Sequence, residues 1–154
     1  MNSRAQALIA IARSYIGTKF AHQGRDRVTG MDCGGFAMVS ARDAGLSDLE
    51  FLGYADFPTD GKFEELLQEH TIFLWERKFP FTFTGDELLP ADLLSFDYGN
   101  GEGTRHLALV SQWLRNRYYV VEAQPKNGVT EHALAPPFIQ RKMTIKAWRI
   151  PALV

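Results

Sequence analysis

Pro90 divides this chain into two kinds of sequence, and that division limits the fold more than any other feature. Before it, apolar residues recur at helical spacing. After it, short runs rich in β-branched and aromatic residues alternate with turn residues. Leu8, Ile9, Ala12, Tyr15 and Ile16 share one face of a predicted helix with Ser3 as N-cap, running to about Ile16 and ended by Gly17. A second helix is predicted from Cys33 to about Ala44, stopping at Gly45, and a third from about Lys62 to Glu69 with Asp60 as N-cap. The polar, glycine-containing stretch 19–30 reads as a loop. Beyond Pro90, residues 93–96, 106–110, 118–122 and 143–148 read as strands, the middle two forming a hairpin that turns near Arg115-Asn116-Arg117. Helices first and antiparallel strands afterwards specify an α+β fold, with the helical half packed on one face of the sheet.

With 154 residues, 45% of them hydrophobic, and no repeat or long linker, the chain is expected to form one domain over 1–154 with a real core. Its 17 basic and 18 acidic residues leave no electrostatic footprint for nucleic acid or a membrane surface. No apolar run has the length needed to span a bilayer. The apolar N-terminal stretch is short and interrupted by Gln6 and Arg13, so no signal peptide is expected. The glycine-rich run 99–103 is followed by a strand rather than a helix, which argues against phosphate binding. Glu64, Glu65 and Glu69 read as the solvated face of a helix. The aromatic run Phe73, Trp75, Phe79, Phe81 and Phe83 reads as core or the wall of a groove.

The chemistry centres on the only cysteine, Cys33, in Gly30-Met31-Asp32-Cys33-Gly34-Gly35-Phe36. A thiol at the first turn of a helix meets free backbone N–H groups and the positive end of the dipole, which favour the nucleophilic thiolate. Such a nucleophile needs a base and a group to orient that base. His106 opens a strand directly after the glycine-rich loop and suits the base. Glu122 and Gln124 are the polar residues of the next strand. They alternate to the same face, so parity does not choose between them. Cys33 and the four histidines show no metal-ligand spacing, so neither a metal nor a cofactor is expected.

The ordered set Tyr15-Ile16-Gly17-Thr18-Lys19-Phe20, Asp32-Cys33-Gly34-Gly35-Phe36, Leu89-Pro90-Ala91-Asp92, His106-Leu107-Ala108-Leu109-Val110 and Val120-Val121-Glu122-Ala123 resembles the NlpC-type cell-wall peptidases. These are papain-like cysteine peptidases that cut peptidoglycan stem peptides. The resemblance covers about residues 4 to 134. It implies a papain-like fold with Cys33 as nucleophile, His106 as base and Glu122 as third residue. It also implies that Asp32 recognises a substrate amine. Arg25 or Arg27 could then hold a substrate carboxylate by a bidentate contact. Phe20 stands where the family usually has a tyrosine that helps bind the oxyanion, and Gly34 stands where it has a serine. His22-Gln23-Gly24-Arg25 and Gly128-Val129-Thr130-Glu131-His132 are most similar to the branch of the family found in bacteriophage tails and phage-derived particles. That branch implies a protein made in the bacterial cytoplasm and carried in the virion tail, with tail-tip or hub proteins as partners and a peptidoglycan peptide as substrate. The alternative implied by Phe20 and Gly34 is a structural tail-tip or assembly protein that retains the fold with weak or no activity.

Overall fold

The computed structural model of the chain describes residues 2–55, 60–134 and 142–154. Three helices, α1 (Ser3–Ser14), α2 (Cys33–Asp43) and α3 (Lys62–His70), accompany eight strands. These are β1 (Arg25–Asp26), β2 (Gly30–Met31), β3 (Ile72–Lys78), β4 (Leu93–Asp97), β5 (Thr104–Leu114), β6 (Arg117–Gln124), β7 (Gly128–Ala133) and β8 (Thr144–Arg149). Strands β1 and β2 form a small hairpin, and the other six form one sheet in the order β3-β8-β4-β5-β6-β7, antiparallel throughout. The sequence-derived α+β architecture holds, with three additions. The stretch read as a loop contains the β1–β2 hairpin, the aromatic run after α3 begins with an edge strand, β3, and residues 128–133 form the other edge strand, β7.

Local chemistry explains the helix ends. Asn2, not Ser3, caps α1: its side chain accepts the Arg4 N–H at 2.9 Å, and Ser3 lies inside the helix. The helix stops at Ser14, one turn before Gly17, which has φ +94°. Gly61 precedes α3 in a left-handed conformation, while the Asp60 carboxylate accepts the Lys62 N–H at 3.1 Å from one residue further out. The predicted hairpin turn is present. Arg115 and Asn116 both have positive φ, the two-residue turn whose twist matches that of its flanking strands β5 and β6.

The sheet alternates between two cores. Leu107, Leu109, Val121 and Trp148 face the helices and pack with Leu8, Ala12, Phe36, Val39 and Phe63. Leu94, Phe96, Ala108, Val110, Tyr118 and Ile145 face the other way, under Trp75, Phe79, Phe81, Phe83 and Trp113. From Trp75 onward the aromatic run is therefore the cover of the second face, while Phe73 packs on Trp148. Among the described residues, buried polar side chains in these layers are paired, apart from the Ser40 hydroxyl on α2. Asp92, 1% exposed, takes a two-pronged contact from Arg149 at 2.7 and 2.8 Å and accepts the Leu89 N–H at 2.7 Å. The buried indole of Trp148 donates to Ser95 Oγ at 2.9 Å. No helix among the described residues is long and apolar enough to cross a membrane.

Candidate active site

Asp32 fixes the start of α2 and with it Cys33. One carboxylate oxygen accepts the Gly35 N–H at 2.7 Å and the Tyr54 hydroxyl at 2.9 Å; the other accepts the Gln23 N–H at 2.6 Å and lies 3.6 Å from His22 Nδ1. The carboxylate so placed satisfies first-turn donors of the helix and ties the 22–25 loop to it. The Phe36 N–H bonds the Asp32 carbonyl at 2.8 Å. Cys33 and Gly34 therefore supply the first-turn amides still available to a developing oxyanion. Glycine is needed at position 35, and position 34 is tight. A Cβ on Gly35 would run into the Gly24 carbonyl and the Arg25 guanidinium, and one on Gly34 would come within 3.0 Å of the Phe63 ring.

The base and its partners come from three adjacent strands. In the β5–β6 register Leu109 pairs with Val121, which puts His106 diagonal to Glu122 on one face. In the β6–β7 register Val120 pairs with His132, so His132 is diagonal to Glu122 from the other side. His106 Nε2 is hydrogen-bonded to Glu122 Oε2, and its ring also hydrogen-bonds Cys33. With Nε2 engaged by the carboxylate, Nδ1 is the nitrogen left for the sulfur. Glu122 is fully buried; its Oε1 meets His132 Nε2 at 2.5 Å and accepts the Gln124 side-chain amide. The Gln124 carbonyl in turn accepts from Asn127 at 3.0 Å. Of the two polar candidates on β6, Glu122 touches the imidazole of His106 and Gln124 touches Glu122.

The electrostatics follow from these contacts. Burial pushes the Glu122 carboxyl up, but the hydrogen bonds from His106 and His132 outweigh it and hold the group at about 2. Burial lowers the His106 pKa, and its hydrogen bonds to Cys33 and Glu122 reverse this and raise it well above the ordinary histidine value. Tyr98, just past β4, has its hydroxyl raised by burial, and it feels the charges of His106, Glu122 and Cys33. Cys33 itself is 7% exposed.

The expected substrate contacts look different in place. Asp32 is 4% exposed and holds internal donors on both oxygens. Arg25 bonds Glu50 at 2.7 Å, the Phe51 carbonyl at 2.9 Å, and the Gly24 carbonyl and Tyr54 hydroxyl at 3.0 Å, so its fork braces the loop from within. Arg27 bonds Ser14 and stacks 4.4 Å over the Tyr15 ring. Phe20 packs at the edge of the helix-side core and brings no hydroxyl. Sequence reasoning missed His132, Tyr54 and Tyr98 as neighbours of these groups. His132 is placed diagonally from Glu122 by the β6–β7 register. An apolar cavity of about 340 Å3 lies on the flank of α2 facing α3, lined by Gly34, Met38, Phe63 and Leu67 but not by Cys33, His106 or Glu122. Among the described residues no three histidine, cysteine or carboxylate side chains converge as a metal site.

No protein-family profile matches the sequence, and no curated protein matches it. Solved structures do match the fold. The NlpC/p60 domain of the peptidoglycan hydrolase SagA superposes with a TM-score of 0.54 at 19% identity, over 95% of this chain and 98% of that one. A protein similar to a lipoprotein of the NLP/P60 family, from Staphylococcus aureus subsp. aureus Mu50, superposes with a TM-score of 0.52 at 19% identity, over 97% of this chain and 42% of that one. The fold is that of the NlpC/p60 domains.

Proposed function

We propose that the chain is a cysteine peptidase that hydrolyses an amide bond in peptidoglycan stem peptides. The observation that carries this reading is the hydrogen-bonded line from Cys33 at the start of α2, through His106, to the buried carboxylate of Glu122. The Cys33 thiolate attacks the scissile carbonyl carbon, and the oxyanion forms against the Cys33 and Gly34 amides. His106, as imidazolium, passes its proton to the leaving amine, and the C–N bond breaks to give a thioester. His106 then takes a proton from water as the water attacks the thioester, and the carboxylate product leaves with the sulfur restored. Glu122 holds the imidazole in register and stabilises its charged form. Asp32 sets the nucleophile's helix and, in this proposal, lies close enough to the scissile bond to recognise a stem-peptide amine.

The setting we propose is a phage tail tip or phage-derived particle, where tail-hub proteins hold the domain while it opens the wall during genome entry. The runs His22-Gln23-Gly24-Arg25 and Gly128-Val129-Thr130-Glu131-His132 support it. The absence of a hydroxyl at Phe20 favours a second reading, a structural tail component that keeps the fold without turnover. Digestion of purified peptidoglycan, with the released fragments identified by mass spectrometry, decides between them. Hydrolysis by the wild type that falls to background in Cys33→Ala supports the peptidase. Equal digestion by both proteins, or by neither, overturns it.

A further inference from the structure

We propose that His132 is a positioning residue, a standing imidazolium that grips the second oxygen of Glu122, so that the site is a four-membered line Cys33–His106–Glu122–His132. The inference deepens the peptidase reading and rests on it for its catalytic part only. It begins from proton accounting at the two nitrogens of one ring. Nδ1 of His132 faces the Ala133 carbonyl at 3.0 Å, and Nε2 faces Glu122 Oε1 at 2.5 Å. A carbonyl and a carboxylate only accept, so both nitrogens must carry hydrogen, which is the definition of the charged ring. The other way to place the proton, on Glu122 itself, is opposed by the Gln124 amide donating to the same oxygen.

The surroundings favour the same charge state. The titratable groups near His132 are Glu122 on β6, His106 on β5 and, through them, Cys33 on α2 and Tyr98 after β4. Glu131, its neighbour on β7, points to the opposite face and pairs with Arg13 of α1 at 2.7 Å. The hydrogen bond to Glu122 raises the His132 pKa, against the opposing effects of burial and of the His106 charge. A fully buried carboxylate is costly unless its lone pairs are met. Two imidazole rings and one amide meet them here. In the mechanism above His132 neither attacks nor transfers a proton. Its part is to stop Glu122 from swinging away from His106.

Two measurements test this. The first needs no turnover: long-range 1H–15N correlation on histidine-labelled protein, at about one pH unit above the ordinary histidine value of about 6.5. Both ring nitrogens of His132 should appear protonated; a single protonated nitrogen overturns the proposal. The second is kinetic, on a soluble peptidoglycan fragment. His132→Ala should lower kcat by about tenfold or more with little change in KM, because a buried charged oxygen loses its charged donor and keeps only the Gln124 amide. His132→Gln, which returns one N–H donor, should recover most of that loss, and its alkaline limb should keep the part due to His106 while lacking the part due to deprotonation of His132. Wild-type kcat and pH profile in His132→Ala overturn the positioning role. Because the charge state is read without turnover, it stands or falls separately from Cys33→Ala, whose failure to abolish hydrolysis would count against the peptidase alone.

Discussion

Glu122→Gln keeps the shape of the side chain and removes the one anion at the centre of the site, so its effect on stability can be worked out as a function of pH. The carboxyl is held at about 2 in the folded protein against an ordinary value of 4.5. At about 1.4 kcal/mol per pH unit, that difference is on the order of 3 kcal/mol of folding free energy. A depressed folded-state pKa gives stability that is fully present above the unfolded value and is lost as pH falls through the folded one. His106 and His132 are raised, so their share is fully present below about 6.5 and is lost as pH climbs through their folded values. The wild type should therefore exceed Glu122→Gln most between about pH 4.5 and 6.5, and the gap should close on both sides. Glu131 is also depressed, by its bonds to Arg13 and Ser111 against the effect of burial, but it is present in both proteins and cancels in the difference. Urea unfolding at a series of pH values, with the midpoint and slope fitted at each, reads the gap directly. A gap that stays constant with pH, or widens toward acid, would refute the ion-pair account of this cluster.

Arg149→Ala should cost about 3–5 kcal/mol in urea unfolding, because it strands the buried Asp92 carboxylate, and adding Asp92→Asn should return part of the loss. A loss under about 1 kcal/mol would mean that water reaches the pair and screens it. Gly35→Ala should destabilise by about 1–3 kcal/mol through overpacking against Gly24 and Arg25. It should also slow hydrolysis, since relief of the clash displaces the loop that Asp32 ties to α2; unchanged stability and rate would show that the loop yields freely.

How much of this was legible depended on whether the determining contact was local. The β5–β6 hairpin was, because alternation and a two-residue turn at Arg115 and Asn116 are sequence properties. The N-terminus of α2 was, because Asp32 caps from within its own segment. Strand β3 was not: as an edge strand it is half-exposed on both faces and has a register shift between Phe73 and Trp75, so it carries no clean alternation. The line from Cys33 to Glu122 was drawn from residue chemistry and resemblance. Its continuation to His132 needed the β6–β7 register, which no property of His132 alone announces. Arg25 shows the converse failure. A loop arginine reads as free for a ligand until the fold reveals that Glu50, Phe51 and Tyr54 surround it.

The position of β8 has a consequence for how the chain is made. Strand β8, which follows the other strands of the sheet in chain order, is inserted between β3 and β4, where Trp148 bonds Ser95 and Arg149 neutralises Asp92. Until residue 149 has emerged, β3 has no partner in the sheet, Asp92 is an unmatched anion, and the layer beneath the helices lacks its largest side chain. The sheet that carries His106 and Glu122 thus closes only after residue 149 has been made, by a pairing of distant segments that is slow to form. Chains that lack β8 would leave His106 and Glu122 on an open sheet, the order of synthesis serving as a built-in delay.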